Sequence, residues 1–180
     1  PLARFALDTS ASDGQHFVFQ YVATGAEPER TFDVEVSAVD ADGNETRQSA
    51  GRLTFDFTPP VLGAPLWSLG SRSAVTPTDV VPFSARTEAQ VVLRSTALLD
   101  ETGALLAPLE AAVVLDPEVP STATVSGSAR LPPLTTGVAV EVSVSDEAGN
   151  VVSKTSAIVP VDGDAPTSPT LSITGKPVTA

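Results

Sequence analysis

Hydrophobic and polar residues alternate most regularly near the end of the chain. Val138, Val140, Val142 and Val144 fall on one face of an extended segment, and Ala139, Glu141, Ser143 and Ser145 fall on the other. A period of two residues is typical of a β-strand with one buried face. We therefore expect the valine face to be buried, with Glu141 and Ser143 facing solvent.

The same pattern occurs earlier in the chain. The segment 32–44 (FDVEVSAVDADGN) returns as 138–150 (VAVEVSVSDEAGN), an offset of 106 from position 43 to position 149. The same offset carries Thr58-Pro-Pro onto Asp164-Ala-Pro. A fixed offset of this length indicates tandem domains.

A second strand is predicted after each repeated segment. Leu53, Phe55 and Phe57 alternate in the first copy, and Val159 and Val161 take the matching positions in the second. The two strands of each copy form an antiparallel hairpin. Gly43 and Gly149 lie in its turn, and we expect a positive φ at both because glycine adopts that conformation without a side-chain penalty.

Further strands are predicted before the second repeated segment. They cover 62–69, 79–85, 89–98, 105–115 and 123–131, which gives seven strands with the repeated pair. This number and the spacing of the strands indicate an all-β sandwich. The sixteen prolines indicate that its edge strands are short, because proline cannot donate to a strand ladder.

The repeat divides the chain into three parts. Residues 58–163 form one complete domain, and residues 164–180 form a linker with the first strand of a third domain or a tail. Residues 1–57 hold only the last four strands of their own domain, with 5–9 and 17–23 among them, so its apolar face at Phe32, Val34 and Val36 is only partly covered. The missing strands come either from upstream residues or from another subunit, for which 169–180 is a candidate donor.

Composition excludes several classes of function. The net charge is −12 without a basic cluster, which makes nucleic acid a poor partner, and no apolar run approaches the roughly 18 residues of a membrane-spanning helix, so no direct membrane insertion is expected. The chain has no cysteine, so apolar packing alone holds any sandwich together.

Three features recur in each copy: the alternating strand, the turn at 40–44 (DADGN) or 146–150 (DEAGN), and the proline-containing segment at 58–60 (TPP) or 164–166 (DAP) that follows the second strand. Together they resemble bacterial immunoglobulin-like repeats of large secreted and surface proteins. The resemblance implies tandem immunoglobulin-like or fibronectin-like β-sandwiches of about seven antiparallel strands, at an extracellular or cell-surface location. Such repeats serve as stalks, adhesin arms, fibre subunits and accessory modules of enzymes. We expect a non-catalytic stalk or adhesive role here, with neighbouring domains, other subunits of a fibre or a surface glycan as partners.

Acidic residues near the domain junctions are candidate calcium ligands. Asp162 and Asp164 flank Gly163, and Asp56 lies at the same junction of the first copy. Cadherin-like arrays use junction carboxylates in this way, although two or three carboxylates fall short of the six to eight oxygens of a calcium site. Asp40, Asp42 and Asn44 are also spaced like calcium ligands, but turn formation explains them better.

Aromatic residues are candidate ligand contacts. Trp67, the only tryptophan, is a candidate for stacking on a sugar or for filling a domain joint. Phe17, Phe19 and Tyr21 alternate on one face, where core packing is the favoured interpretation. The only histidine, His16, is interpreted as a surface residue because a serine nearby does not make a catalytic triad.

Three functions remain open from the sequence. The first is a non-catalytic extracellular stalk without a cofactor. The second is a module that binds calcium or a glycan. The third is an accessory domain of a large secreted enzyme.

Overall fold

The computed structural model describes residues 5–13, 15–133 and 136–164. Throughout these residues the regular structure consists of β-strands without a helix, which confirms the all-β prediction. The chain divides into two compact units, Pro1–Thr58 (unit 1) and Pro59–Ala180 (unit 2).

Unit 2 is a β-sandwich of two antiparallel sheets. The first sheet has the order β5 (Leu66–Trp67), β6 (Val80–Glu88), β10 (Thr122–Arg130), β9 (Ala111–Leu115). The second has the order β12 (Val151–Thr155), β11 (Gly137–Ser145), β7 (Val92–Asp100), β8 (Leu105–Pro108), and β13 (Val159–Pro160) also pairs with β11. Side chains from both sheets form one core, including Val81, Phe83 and Val125 from the first and Leu98, Val140 and Val142 from the second.

The predicted face of β11 is confirmed. Val138, Val140, Val142 and Val144 are each at most 1% exposed. Burying valine side chains contributes about 1.5 kcal/mol or more each, so this face fixes the register of the strand.

The prediction for the opposite face of β11 is wrong in part. Ser143 is buried and Glu141 is half-buried. The cause is the central position of β11 between β7 and β12, where Ser143 stands between Ser95 and Ser153 of the adjacent strands. Small side chains on a central strand are shielded by their neighbours on both sides.

Unit 2 has nine strands among its described residues instead of seven. The predicted strand 105–115 is two strands, because the chain leaves one sheet after β8 and enters the other at β9. Two hydrogen bonds between Thr96 and Leu109 stabilise the chain where it passes from one sheet to the other. Thr96 Oγ1 donates to the Leu109 carbonyl at 2.6 Å, and the Leu109 amide donates to the Thr96 carbonyl at 2.8 Å. The second strand of the last hairpin is likewise divided, into β12 and β13.

Unit 1 contains four described strands in two hairpins. β1 (Ala6–Asp8) pairs with β2 (Val18–Gln20), and β3 (Arg30–Val39) pairs with β4 (Glu45–Phe55). A cluster of aromatic rings lies among them, with Tyr21 5.4 Å from Phe5 and 5.6 Å from Phe55 between ring centroids.

The pairing in unit 1 repeats that of unit 2 at the 106-residue offset. β1 and β2 have the register of β9 and β10, while β3 and β4 have that of β11 with β12 and β13. Both longer ladders are interrupted at the same place, by the single residue Ala50 in unit 1 and by a longer segment that begins at Ser156 in unit 2. Two of the matched pairs are Leu7–Phe19 with Val113–Val125 and Val39–Glu45 with Ser145–Val151.

The described residues of unit 1 lack a buried core. Between residues 5 and 58 every described residue is exposed or half-buried. Phe32 and Val34 are half-buried and Val36 is 43% exposed, which confirms that this apolar face is only partly covered. The predicted first strand of a third domain and the candidate donor 169–180 lie outside the described residues.

Candidate functional site

The repeated turn is built by one aspartate and one glycine. The backbone carbonyl of Asp40 accepts a hydrogen bond from the Gly43 amide at 3.1 Å, and Gly43 has φ 87°. In the second copy Asp146 accepts from the Gly149 amide at 3.3 Å, and Gly149 has φ 93°. The predicted positive φ is therefore confirmed at both glycines.

The side chain of Asp40 closes the first of these turns. Its Oδ1 accepts from the amides of Asp42 and Asn44 at 3.0 and 2.8 Å, and its Oδ2 accepts from the Asn44 side-chain amide at 2.9 Å. These hydrogen bonds, led by the one from the Asn44 side chain, lower the pKa of Asp40. The interpretation of Asp40 as a turn residue is confirmed.

A third turn of the same construction was missed in the sequence. Asp100 accepts from the Gly103 amide at 3.1 Å, Gly103 has φ 87°, and Asp100 Oδ1 also accepts from the Thr102 and Ala104 amides at 2.8 Å each. The signal was present as Asp-Glu-Thr-Gly at 100–103, but it lies between β7 and β8 and outside the repeated segment.

The candidate calcium ligands also form local turns. Asp56 Oδ1 accepts from the Thr58 amide at 3.1 Å, and Asp162 Oδ1 accepts from the Asp164 amide at 3.0 Å. The two bonds are equivalent at the 106-residue offset. Over residues 5–13, 15–133 and 136–164 the structure places no three acidic or histidine side chains together for a metal ion. Calcium binding by Asp56, Asp162 and Asp164 stays a prediction.

Trp67 lies on the short edge strand β5 and packs against the core of unit 2. Its ring is 6.3 Å from that of Phe83 at an interplanar angle of 76°. The indole Nε1 is buried and has no hydrogen-bond acceptor among the residues that the structure describes. The contact with Phe83 gives Trp67 a packing role in the core of unit 2. Sugar binding by Trp67 stays a prediction.

The aromatic residues in and beside β2 differ from the expected core packing. Phe17 and Phe19 are 62% and 47% exposed, because strands equivalent to β6 and β7 are not among the described strands of unit 1. Tyr21 is half-buried, and its hydroxyl donates to Glu27 at 2.6 Å. This bond, together with the Thr24 amide, lowers the pKa of Glu27 to about 2.

His16 lies on the surface, as expected. Its Nδ1 is 3.2 Å from Asp13 Oδ2, with both side chains exposed. The hydroxyls of Ser10 and Ser12 donate instead to Asp8, each at 2.6 Å. Among the described residues, the side-chain hydrogen-bond partner of the His16 imidazole is Asp13 and not a serine hydroxyl.

A cleft at one end of unit 2 was not predicted. It encloses about 390 Å³ and is lined by Thr78, Leu98, Leu106, Ala107 and the segment 130–133. Thr78 has φ 73°, the one positive value at a described residue other than glycine. This conformation is strained for a residue with a Cβ atom.

No helix among the described residues is long and apolar enough to cross a membrane. No protein family model matches the chain, and no curated protein matches it.

Two solved structures show a distant likeness. The chain is 18% identical to a crystal structure of Rst D1-D2, with a TM-score of 0.39, over 89% of this chain and 75% of that one. It is 11% identical to a structure of a BcpA variant, the major pilin subunit of Bacillus cereus, with a TM-score of 0.26, over 82% of this chain and 54% of that one. The chain thus spans about half of the pilin subunit. At these TM-scores neither likeness assigns a function, and the protein class rests on the β-sandwich of unit 2.

Proposed function

We propose that this chain is part of a non-catalytic extracellular array of immunoglobulin-like sandwiches, in which each unit acts as a spacer in a stalk. The observation that carries the proposal is the register shared by the two units at a constant offset of 106 residues. A repeated unit with one fixed pairing scheme adds length in equal steps. The proposal requires no cofactor, and its surface location rests on the repeat motifs of the sequence.

The end of unit 2 is suited to transmit load. The Val75 amide donates to the Pro160 carbonyl at 3.0 Å, and the Asp162 amide donates to the Val75 carbonyl at 2.8 Å. Val161 thereby forms a parallel bridge with Val75, while β13 pairs with β11. The segment 159–162, at the end of unit 2, is therefore hydrogen-bonded to Val75 on one side and to β11 on the other. Force applied to this segment reaches the sandwich through several hydrogen bonds at once.

Length measurement tests the spacer role. Chains with one to four joined copies of residues 58–163 are compared by small-angle X-ray scattering. We expect the maximum dimension to rise by a constant step of about 30 to 40 Å per copy, the length of a strand of about ten residues with its turns. In matched chains with a Gly/Ser-rich linker at each junction, the maximum dimension should be smaller and should vary more among the molecules in solution.

Compaction would contradict the proposal. If the maximum dimension grows only weakly with copy number, as it does when units collapse onto each other, the repeat does not act as a spacer. A result in which the Gly/Ser-linked chains are as long as the natural ones would also contradict it, because the junction would then contribute no stiffness.

A further inference from the structure

The edges of β2 and β3 differ from those of their counterparts in unit 2. There β10 pairs with β9 and with β6, and β11 pairs with β12 and with β7. Among the described residues β2 pairs only with β1, and β3 only with β4. The edges that correspond to the β6 and β7 contacts are therefore unpaired in the described part of unit 1, beside the exposed rings of Phe17 and Phe19.

In unit 2 a glycine of β10 leaves space for a large side chain of the neighbouring strand β6. Gly127 stands opposite Phe83 of β6. A Cβ atom at Gly127 would lie 2.8 Å from Phe83 Cζ and 2.6 Å from the Glu110 carbonyl oxygen, both shorter than real contacts. The phenylalanine ring therefore occupies the space that a side chain at position 127 would need.

Unit 1 has a large side chain at the equivalent position. Tyr21 corresponds to Gly127 at the 106-residue offset, and the registers of β1–β2 and β9–β10 agree. Phe19 likewise takes the place of Val125, which is fully buried in unit 2. Because protein interiors are close-packed, larger side chains on one strand require smaller ones on the strand that faces them.

We propose that unit 1 is completed by a further copy of the β5–β8 region from the same polypeptide, and that this copy has a small residue where β6 has Phe83. Its two central strands pair with the open edges of β2 and β3, as β6 and β7 pair with β10 and β11. A second copy of this chain does not fit, since its β6 has Phe83 and already pairs within its own sandwich. The inference concerns the partner of unit 1 and does not depend on the spacer role.

A completed chain tests the proposal. Residues 59–106 are duplicated in front of Pro1, which continues the repeat in frame. The added copy has either the phenylalanine equivalent to Phe83 or an alanine in its place, each combined with Tyr21 or with Tyr21→Gly. Hydrogen exchange of the β2 and β3 amides is measured in the four chains, and sedimentation is measured for the unmodified chain.

Size complementarity predicts that the protection of β2 and β3 depends on the combination of residues at the two facing positions. The alanine copy with Tyr21 and the phenylalanine copy with Tyr21→Gly should each slow exchange in β2 and β3 by about tenfold or more relative to the phenylalanine copy with Tyr21. Equal protection by the alanine and phenylalanine copies with Tyr21, or no protection in any of the four, would overturn the proposal. So would a dimer of the unmodified chain with protected β2 and β3 amides, because the partner would then be a second copy.

Discussion

Gly43 and Gly149 have the same left-handed backbone conformation at equivalent places in two hairpins, with φ 87° and 93°. Space for a Cβ atom exists at both, since nothing lies within 4 Å of its ideal position. Only the backbone conformation therefore selects glycine. The turn belongs to the type in which a left-handed residue follows a type I turn and forms a bulge.

Replacing Gly149 with valine should destabilise unit 2 by about 1 to 2 kcal/mol, because a β-branched residue is strained in the left-handed region. Urea unfolding followed by the fluorescence of Trp67, the only tryptophan, measures this change in unit 2. Gly149→Asn is the matched control and should lose much less, since asparagine tolerates this conformation. Equal loss in both variants would show that the added side chain, and not the backbone, causes the effect.

Thr78 presents the opposite case, a residue with a Cβ atom at a position that favours glycine. It follows Pro77 in a turn closed by the Asp79 amide, which donates to the Thr76 carbonyl at 3.2 Å. Proline followed by a residue with positive φ is the pattern of a type II turn, in which glycine is preferred.

We expect Thr78→Gly to stabilise unit 2 by about 0.5 to 1 kcal/mol, since relief of strain exceeds the added freedom of the unfolded chain. The urea midpoint reported by Trp67 measures it. Thr78→Ala keeps the strain and should bring no such gain. A midpoint that falls in the glycine variant would mean that the threonine side chain makes a stabilising contact.

Much of the fold could be predicted from alternation and from the repeat. The valines of β11 and the turn at Gly149 follow from local rules that the sequence shows directly. The crossing at Leu109 does not, because the hydrogen bond from Thr96 joins residues that are distant in sequence. Ser143 is buried for a similar reason, since its shielding comes from strands on both sides.

The candidate site residues were less predictable. The charge and position of Asp56 and Asp162 suggest calcium ligands, but the structure shows both in local turns that short polar side chains commonly form. The size difference between Tyr21 and Gly127 was visible in the repeat. Its meaning depends on Phe83, however, and the sequence does not show which residue faces position 127.

Acidity should weaken unit 2 through its turn aspartates. The Thr102 hydroxyl, followed by the Ala104 amide, lowers the pKa of Asp100 below its ordinary value of 3.8. Because the pKa is lower in the folded state, the stabilisation is present above the unfolded value and is lost as the pH falls through the folded value.

The urea midpoint of the chain should therefore be constant well above the ordinary value of 3.8 and should fall as the pH drops from about 5 to about 3. Asp100→Asn keeps the oxygen acceptor but does not titrate in this range, so its midpoint should depend less on pH. If the two midpoints change in parallel, Asp100 does not contribute to the pH dependence.

Trp67 allows the cost of a buried donor to be measured. Its Nε1 is buried without an acceptor among the described residues, while its ring packs against Phe83. A buried donor that lacks a partner costs about 1 to 3 kcal/mol, and Trp67→Phe removes this cost while keeping an aromatic ring. Loss of ring volume acts in the opposite direction.

We expect the two effects to offset each other, leaving the stability within about 1 kcal/mol of the original, whereas Trp67→Ala should lose about 2 kcal/mol or more. Calorimetric unfolding of the chain measures both variants without a tryptophan signal. Equal destabilisation by phenylalanine and alanine would show that the indole N–H has an acceptor. A folded Trp67→Phe variant also tests the predicted sugar contact, because a glycan-array signal that it retains unchanged would exclude a specific role for the indole.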